Sequence, residues 1–240
     1  MRLAIISDIH GNLTALEAVV ADIDRQSPDL VLHGGDLALI GPRPAEVIDR
    51  LRELEWPGVL GNTDQALFDA SVQDEQERRA PGLVDWLRVL FGSLTPWARE
   101  RIGGERAGWL RALPTETRRD ALLLLHAAPG DLWRAPMPDA SDSELLDTYG
   151  GLDADIVVYG HIHRPYVRSL PAVTVANSGS VGLPYDGDPR ASYLLLEDGV
   201  PSIRRVDYDM ERACDDARDA EFPLGGWLEG VLRAGRFVQP

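Results

Sequence analysis

Short apolar runs alternate with stretches in which apolar residues recur every three or four positions, a pattern that layers strands against helices rather than building a bundle or an all-β sandwich. Leu3 to Ile6 reads as the first strand. After it, Leu13, Leu16, Val19, Val20 and Ile23 fall on one helical face, with Asn12 or Thr14 as N-cap. The unit recurs at Leu30 to Leu32 with a helix near Pro44 to Leu54, and a short third strand is expected at Val59 to Leu60. Further strands are expected at Leu122 to Leu125 and Ile156 to Tyr159. Beyond Gly160 the runs shorten, at Tyr166 to Leu170, Val173 to Ala176, Tyr193 to Glu197 and Ile203 to Val206, between Gly, Pro and Asp turns; they predict a second, mixed or antiparallel sheet. Residues of about 65–120 read as a helical insert, with a helix starting at Thr95 and Pro96 as N-cap and first-turn pair. A helical tail of about 211–240 packs on the body, so that 1–240 forms one α/β domain. Trp86, Trp97 and Trp109 in the insert are read as packing, with a substrate lid as the alternative.

Composition narrows the chemistry. A net charge of −15 and a pI near 4.7 oppose a broad basic face for nucleic acid or anionic lipid. All 24 basic residues are Arg, which removes the phosphate-loop and Schiff-base lysine enzymes. The single cysteine, Cys214, has no partner for a disulfide and is read as a bystander. The apolar run at the N-terminus is too short for a signal peptide or a membrane span, which points to the cytoplasm.

Polar residues then gather just after the apolar runs. Asp8 and His10 follow the first strand, Asp36 the second and Asn62 the third; His126 closes the fourth, and His161 and His163 follow the fifth. In open α/β sheets the carboxyl ends of strands converge on ligands, so these seven form a plausible metal cage. Two carboxylates, an amide oxygen and four imidazoles suit Mn, Fe, Zn, Co or Ni rather than calcium. Seven ligands are more than one ion needs, whereas two ions about 3.5 to 4 Å apart can share a bridging carboxylate. Asp36 is the natural bridge. Four of the five histidines belong to this set; the fifth, His33, lies in an apolar run and reads as a hydrogen-bonded core residue or a support for a ligand.

The motifs Ser7-Asp8-Ile9-His10-Gly11-Asn12, Gly35-Asp36, Gly61-Asn62-x-Asp64, His126 and Gly160-His161-Ile162-His163 resemble those of the calcineurin-like metallophosphoesterases. The resemblance runs on, less specifically, through Asn177-Ser178-Gly179-Ser180-Val181-Gly182 and Asp186 to Tyr193, as in small bacterial members. It implies a four-layer αββα sandwich of two mixed sheets flanked by helices. It also implies one ion held by Asp8, His10, Asp36 and His163 and another by Asp36, Asn62, His126 and His161. A hydroxide shared by the ions would attack the phosphorus of a monoester or diester of a small phosphorylated or nucleotide-like substrate. Many members carry a histidine after the Asn of the third motif as a general acid, and here that position is Thr63. Asp64 is therefore expected to act as catalytic group with Asp36 and Asn62, its other reading being a loop-structuring carboxylate. Asn12 at a helix N-terminus and Arg134 are candidate substrate-binding residues, with a helix cap and a surface Arg beside a packed Trp133 as the plainer readings. Two other functions fit the same residues: a metal-binding interaction scaffold of this fold, and a single-metal sensor.

Overall fold

The computed structural model describes residues 1–240. Nine strands and nine α-helices follow in the order β1 (Arg2–Ile6), α1 (Leu13–Gln26), β2 (Leu30–His33), α2 (Pro44–Glu53), α3 (Asn62–Ala66), α4 (Val72–Arg79), α5 (Val84–Val89), α6 (Thr95–Arg111), β3 (Glu116–Arg119), β4 (Leu122–Leu125), α7 (Asp142–Tyr149), β5 (Ile156–Tyr159), β6 (Tyr166–Ser169), β7 (Thr174–Asn177), β8 (Ala191–Glu197), β9 (Val200–Val206), α8 (Met210–Asp219) and α9 (Gly225–Ala234). One sheet has the order β2-β1-β8-β9 and the other β3-β4-β5-β7-β6. Each is mixed: β1 pairs parallel with β2 and antiparallel with β8, while β4, β5 and β7 run parallel between antiparallel edges.

Strand alternation builds the layers. Leu3, Ile5, Leu122, Leu124, Ile156, Val158, Leu194 and Leu196 point between the sheets, in one buried cluster with Leu32 and Val59. Their neighbours face outward. Ala4, Ile6, Tyr193 and Leu195 pack on the helices, including Leu16, Val19 and Ile23 of α1 and Val47, Ile48 and Leu51 of α2. Leu123, Leu125, Val157 and Tyr159 pack instead on Leu145 and Tyr149 of α7. The result is the expected helix, sheet, sheet, helix sandwich.

Several local expectations are corrected. The strands after Gly160 do not form a sheet of their own: β6 and β7 extend the second sheet, and β8 and β9 complete the first, because β8 pairs with β1. The third strand shrinks to a bridge between His33 and Gly58, since Leu60 donates its N–H to Pro114 O instead of a ladder. Thr95 is no N-cap. The chain is already helical through α5 and a π-helical turn, Leu90–Leu94, so Thr95 enters α6 with its buried hydroxyl unpartnered. The insert ends in an edge strand, β3, whose side chains are mostly exposed and leave no apolar signal. The unforeseen α7 starts at Ser141, whose Oγ accepts the Glu144 N–H, half of a capping box visible as Ser-x-x-Glu. Asn12 caps α1, and the tail forms α8 and α9, whose apolar faces, with Cys214, join the largest core cluster. No helix is long and apolar enough to cross a membrane.

Candidate metal centre

The seven cage residues lie at the carboxyl ends of the strands and are laced together by their own backbones. Asp8 N donates to Gly35 O and His10 N to Asp36 O, both at 3.0 Å, which zips the loop after β1 to the loop after β2. His161 N donates to both Asp8 carboxylate oxygens at 3.1 and 3.0 Å, and Gly160 N to His126 O at 3.0 Å. Ser7 Oγ donates to Asp8 Oδ2, and the Asn177 amide holds Gly160 O at 2.5 Å. The Asn177 to Ser180 motif thus underlies the floor of the site.

The backbone is strained where the side chains converge. Asp8, His10, Asp36, His161 and His163 all have φ between 50° and 65°, a region that non-glycine residues enter at a cost of about 1–3 kcal/mol each. Close approach accompanies the strain. A Cβ on Gly61 would lie 2.1 Å from Asp36 N and Asp36 Oδ1, and one on Gly160 2.5 Å from Asp8 Oδ2. Glycine is required at both positions because the loops touch there.

Tautomers follow from the outer hydrogen bonds. His10 Nδ1 donates to Leu39 O at 2.7 Å and His163 Nδ1 to Leu183 O at 2.6 Å, so each Nε2 carries a lone pair. These two Nε2 atoms face each other at 3.1 Å. Asp8 Oδ1 lies 3.2 Å from His163 Nε2, and Asp36 Oδ2 lies 3.6 Å from His10 Nε2. Four acceptors aimed at one point have no proton to share, and a cation resolves their repulsion. The donor atoms of Asp8, His10, Asp36 and His163 all lie within 4.8 Å of one another. On the other side, His126 Nδ1 donates to Gly34 O at 2.7 Å, leaving its Nε2 2.8 Å from Asn62 Oδ1 and 3.5 Å from Asp36 Oδ1. His161 Nδ1 is 2.9 Å from the same Asn62 oxygen. Asp36 therefore turns one oxygen to each group, and Thr63 N donates to Oδ1 at 2.8 Å. The residues fit divalent cations in number, type and direction.

Electrostatics agree. Burial drives the His10 and His163 imidazoles down to about 3 and about 4, and lowers His161 as well, so these rings are neutral at pH 7. Burial raises the Asp8 and Asp36 carboxyls to about 6, a cost that a bound cation offsets.

Other expected residues stand elsewhere. Asp64 is fully buried and accepts from Leu37 N at 3.0 Å and Ala38 N at 3.3 Å; its contacts match the loop-structuring reading. Burial, then the charge of Asp36, raises its carboxyl to about 7. Asn12 lines no part of the cleft: its Oδ1 accepts the Ala15 N–H and its amide donates to Gly182 O. Arg134 points away and donates to Arg79 O, while Trp133 stacks on Phe91 and donates to Gln65 Oε1. His33 has no hydrogen bond at either buried ring nitrogen, contrary to the expected bonded core histidine. Arg43, also near a motif, is committed to Asp216.

A cleft of about 300 Å³ opens over the cage, walled by Trp86, Tyr185 and Phe237, with Arg164 as its basic residue. Arg164 donates only to Tyr185 O and forms no ion pair. Its place directly after His163 does not by itself set it apart in the sequence from Arg43. The sequence singles out Trp86, as packing or as a substrate lid, whereas nothing in the pattern around Tyr185 or Phe237 announces the wall.

Comparison with known proteins gives the same picture. Residues 1–198 match the calcineurin-like phosphoesterase superfamily domain. An uncharacterised protein of Methanocaldococcus jannaschii is 28% identical across 98% of both chains. The phosphodiesterase YfcE of Escherichia coli is 27% identical across 85% of this chain and 91% of its own. A metallophosphoesterase structure from Sphaerobacter thermophilus superposes with a TM-score of 0.78 at 26% identity, over 98% of this chain and 99% of that one.

Proposed function

Because this chain belongs to the calcineurin-like phosphoesterase superfamily, we propose that it hydrolyses phosphate monoesters or diesters with two divalent cations held by its seven cage residues. The observation that carries the reading is the two-sided Asp36 carboxylate, with Oδ2 turned toward His10 and Oδ1 toward His126 and Thr63 N. Asp8, His10, Asp36 and His163 would hold one ion, and Asp36, Asn62, His126 and His161 the other. Such ions, when bound, polarise a phosphoryl oxygen and lower the pKa of water toward 7.

The chain's own groups do the rest. The carbonyls of Leu39, Gly34 and Leu183 fix three imidazoles in the tautomer that presents a lone pair. The Asp8 carboxylate is held by His161 N and Ser7 Oγ, so it needs little reorganisation when a substrate arrives. Arg164, free of any carboxylate, would pair with a phosphate oxygen at the cleft mouth. Thr63 stands in the cleft where related enzymes carry an acid, and its hydroxyl has no partner. A hydroxyl is too weakly acidic to protonate a departing alkoxide at pH 7, so departure depends on the leaving group itself.

The test is Asp36→Asn assayed beside wild type with Mn²⁺ added and after chelation, using an aryl phosphate monoester and a diester and counting bound metal. We expect two metals per wild-type chain and a loss of about a thousandfold or more in rate for the variant. Equal rates for both proteins would reduce the chain to a metal-binding scaffold, and one metal per chain would end the dinuclear reading.

A further inference from the structure

The floor of the cleft is polar, but its wall is aromatic. Tyr185 stacks on the ring of His163 with centroids 4.3 Å apart and planes at 19°. Phe237 meets Tyr185 at 5.5 Å and Trp86 edge-on at 5.6 Å, and Trp86 packs on Trp227 at 5.2 Å. The wall therefore runs without a gap from a cage histidine to the insert and the tail. Leu83 and Met137, 42% and 40% exposed, stand on its rim.

The tail that supplies Phe237 is tethered. Gly187 N donates to Gly235 O at 2.9 Å, Trp227 Nε1 to Val238 O at 2.6 Å, and Gln239 Nε2 to Gly82 O at 3.4 Å. Phe237 is thus held between the loop after β7 and the turn before α5. Phe237 and Trp227 lie beyond the family-matched residues 1–198, whereas Trp86 and Tyr185 lie within them, so the tail completes a wall that the common domain begins.

What such a wall can recognise follows from its atoms. A sugar or polyol on the phosphate would bring hydroxyls against ring faces and aliphatic side chains, where they lose water and find few partners. A flat ring loses nothing polar and stacks. We propose that Trp86, Tyr185 and Phe237 form a stacking subsite for an aromatic group carried directly on the substrate's phosphate, which makes aryl phosphates the preferred class. This rests on the phosphoesterase reading of the same cleft.

Phosphonates test it without turnover, because phenylphosphonate and methylphosphonate share a head group and differ only in the ring. Calorimetric titration of each into the Mn²⁺-loaded full chain should give the phenyl compound an advantage of about tenfold or more, the size of one base-on-ring stack. Phe237→Ala should collapse that ratio and Phe237→Trp should retain it. Leu83→Ser, on the exposed rim, provides a second variant that should narrow the ratio if the tail variant misfolds. Equal binding of the two phosphonates by wild type, or a ratio indifferent to Phe237→Ala, overturns the subsite while leaving the phosphoesterase intact. Failure of both phosphonates to bind metal-loaded protein overturns the phosphoesterase reading and the subsite with it.

Discussion

The floor and the rim of one cleft hold their side chains by opposite means. On the floor, five of seven residues sit in left-handed backbone, glycines allow loops to touch, and the outer nitrogens of His10, His126 and His163 are each bonded to a carbonyl. At the rim, Trp86, Tyr185 and Phe237 are placed by ring contacts of 5.5 to 5.6 Å and remain half-buried. The floor stores strain to aim donors at a fixed point, which suits chemistry that tolerates little displacement. Packing contacts at the rim can be exchanged at small cost, which suits a surface that selects among substrates.

Four measurements break or sharpen this contrast. The largest effect is expected at Thr63, where floor meets rim without an acid. Rates across a series of esters should fall steeply as the leaving-group pKa rises, with alkyl esters about a hundredfold to ten-thousandfold slower than activated aryl esters. A flat plot of rate against leaving-group pKa would mean that another group supplies the proton. Next comes Gly61→Ala, whose Cβ would overlap Asp36 N and Oδ1. We expect a rate loss of about a hundredfold, with reduced metal uptake by elemental analysis, because a displacement of about 1 Å in a catalytic group has that effect. Unchanged metal content and rate would show the floor to be looser than described.

His33 reads the layer beneath the floor. Burial lowers its imidazole to about 4, from an unfolded value of 6.5, so the unfolded chain binds the extra proton more readily. Above pH 6.5 this has no effect on stability; as pH falls from 6.5 toward 4 it destabilises the fold, by about 2 kcal/mol at pH 5. Several buried groups titrate in this range, so the test is a difference: between pH 7.5 and 5 the metal-chelated His33→Gln protein should lose about 2 kcal/mol less stability than wild type in denaturant titrations, and equal losses would refute the assignment. The smallest effect belongs to the rim. Phe237→Ala should change stability by no more than about 1 kcal/mol, or roughly 2–4 °C in Tm, since it removes a half-buried ring near the chain end. A drop like that of Gly61→Ala would make the rim part of the core.

On the floor the candidate ligands stand out in the sequence because strand ends and polar residues coincide there. Asp8, His10, Asp36, Asn62, His126, His161 and His163 each follow an apolar run, and all converge. The sequence reads less plainly at Asn12 and Arg134, since a polar residue near a motif can cap a helix or bond a carbonyl, and pattern alone does not choose. Edge strand β3 and the helical start at Thr95 were misread for related reasons: an exposed strand needs no apolar alternation, and a cap-forming residue also enters a continuing helix.

By itself, then, the sequence determined the layered α/β class and the apolar runs that become β1, β4, β5 and β8, and it set the candidate ligands just after strand ends, because apolar pattern and loop position are local properties of a chain. Only the tertiary structure decided that β8 pairs with β1, that Asp64 turns inward to the Leu37 and Ala38 amides, and that Trp86 from the insert meets Phe237 from the tail. Those contacts join residues from 26 to more than 150 positions apart, and no local periodicity encodes which distant surfaces will meet.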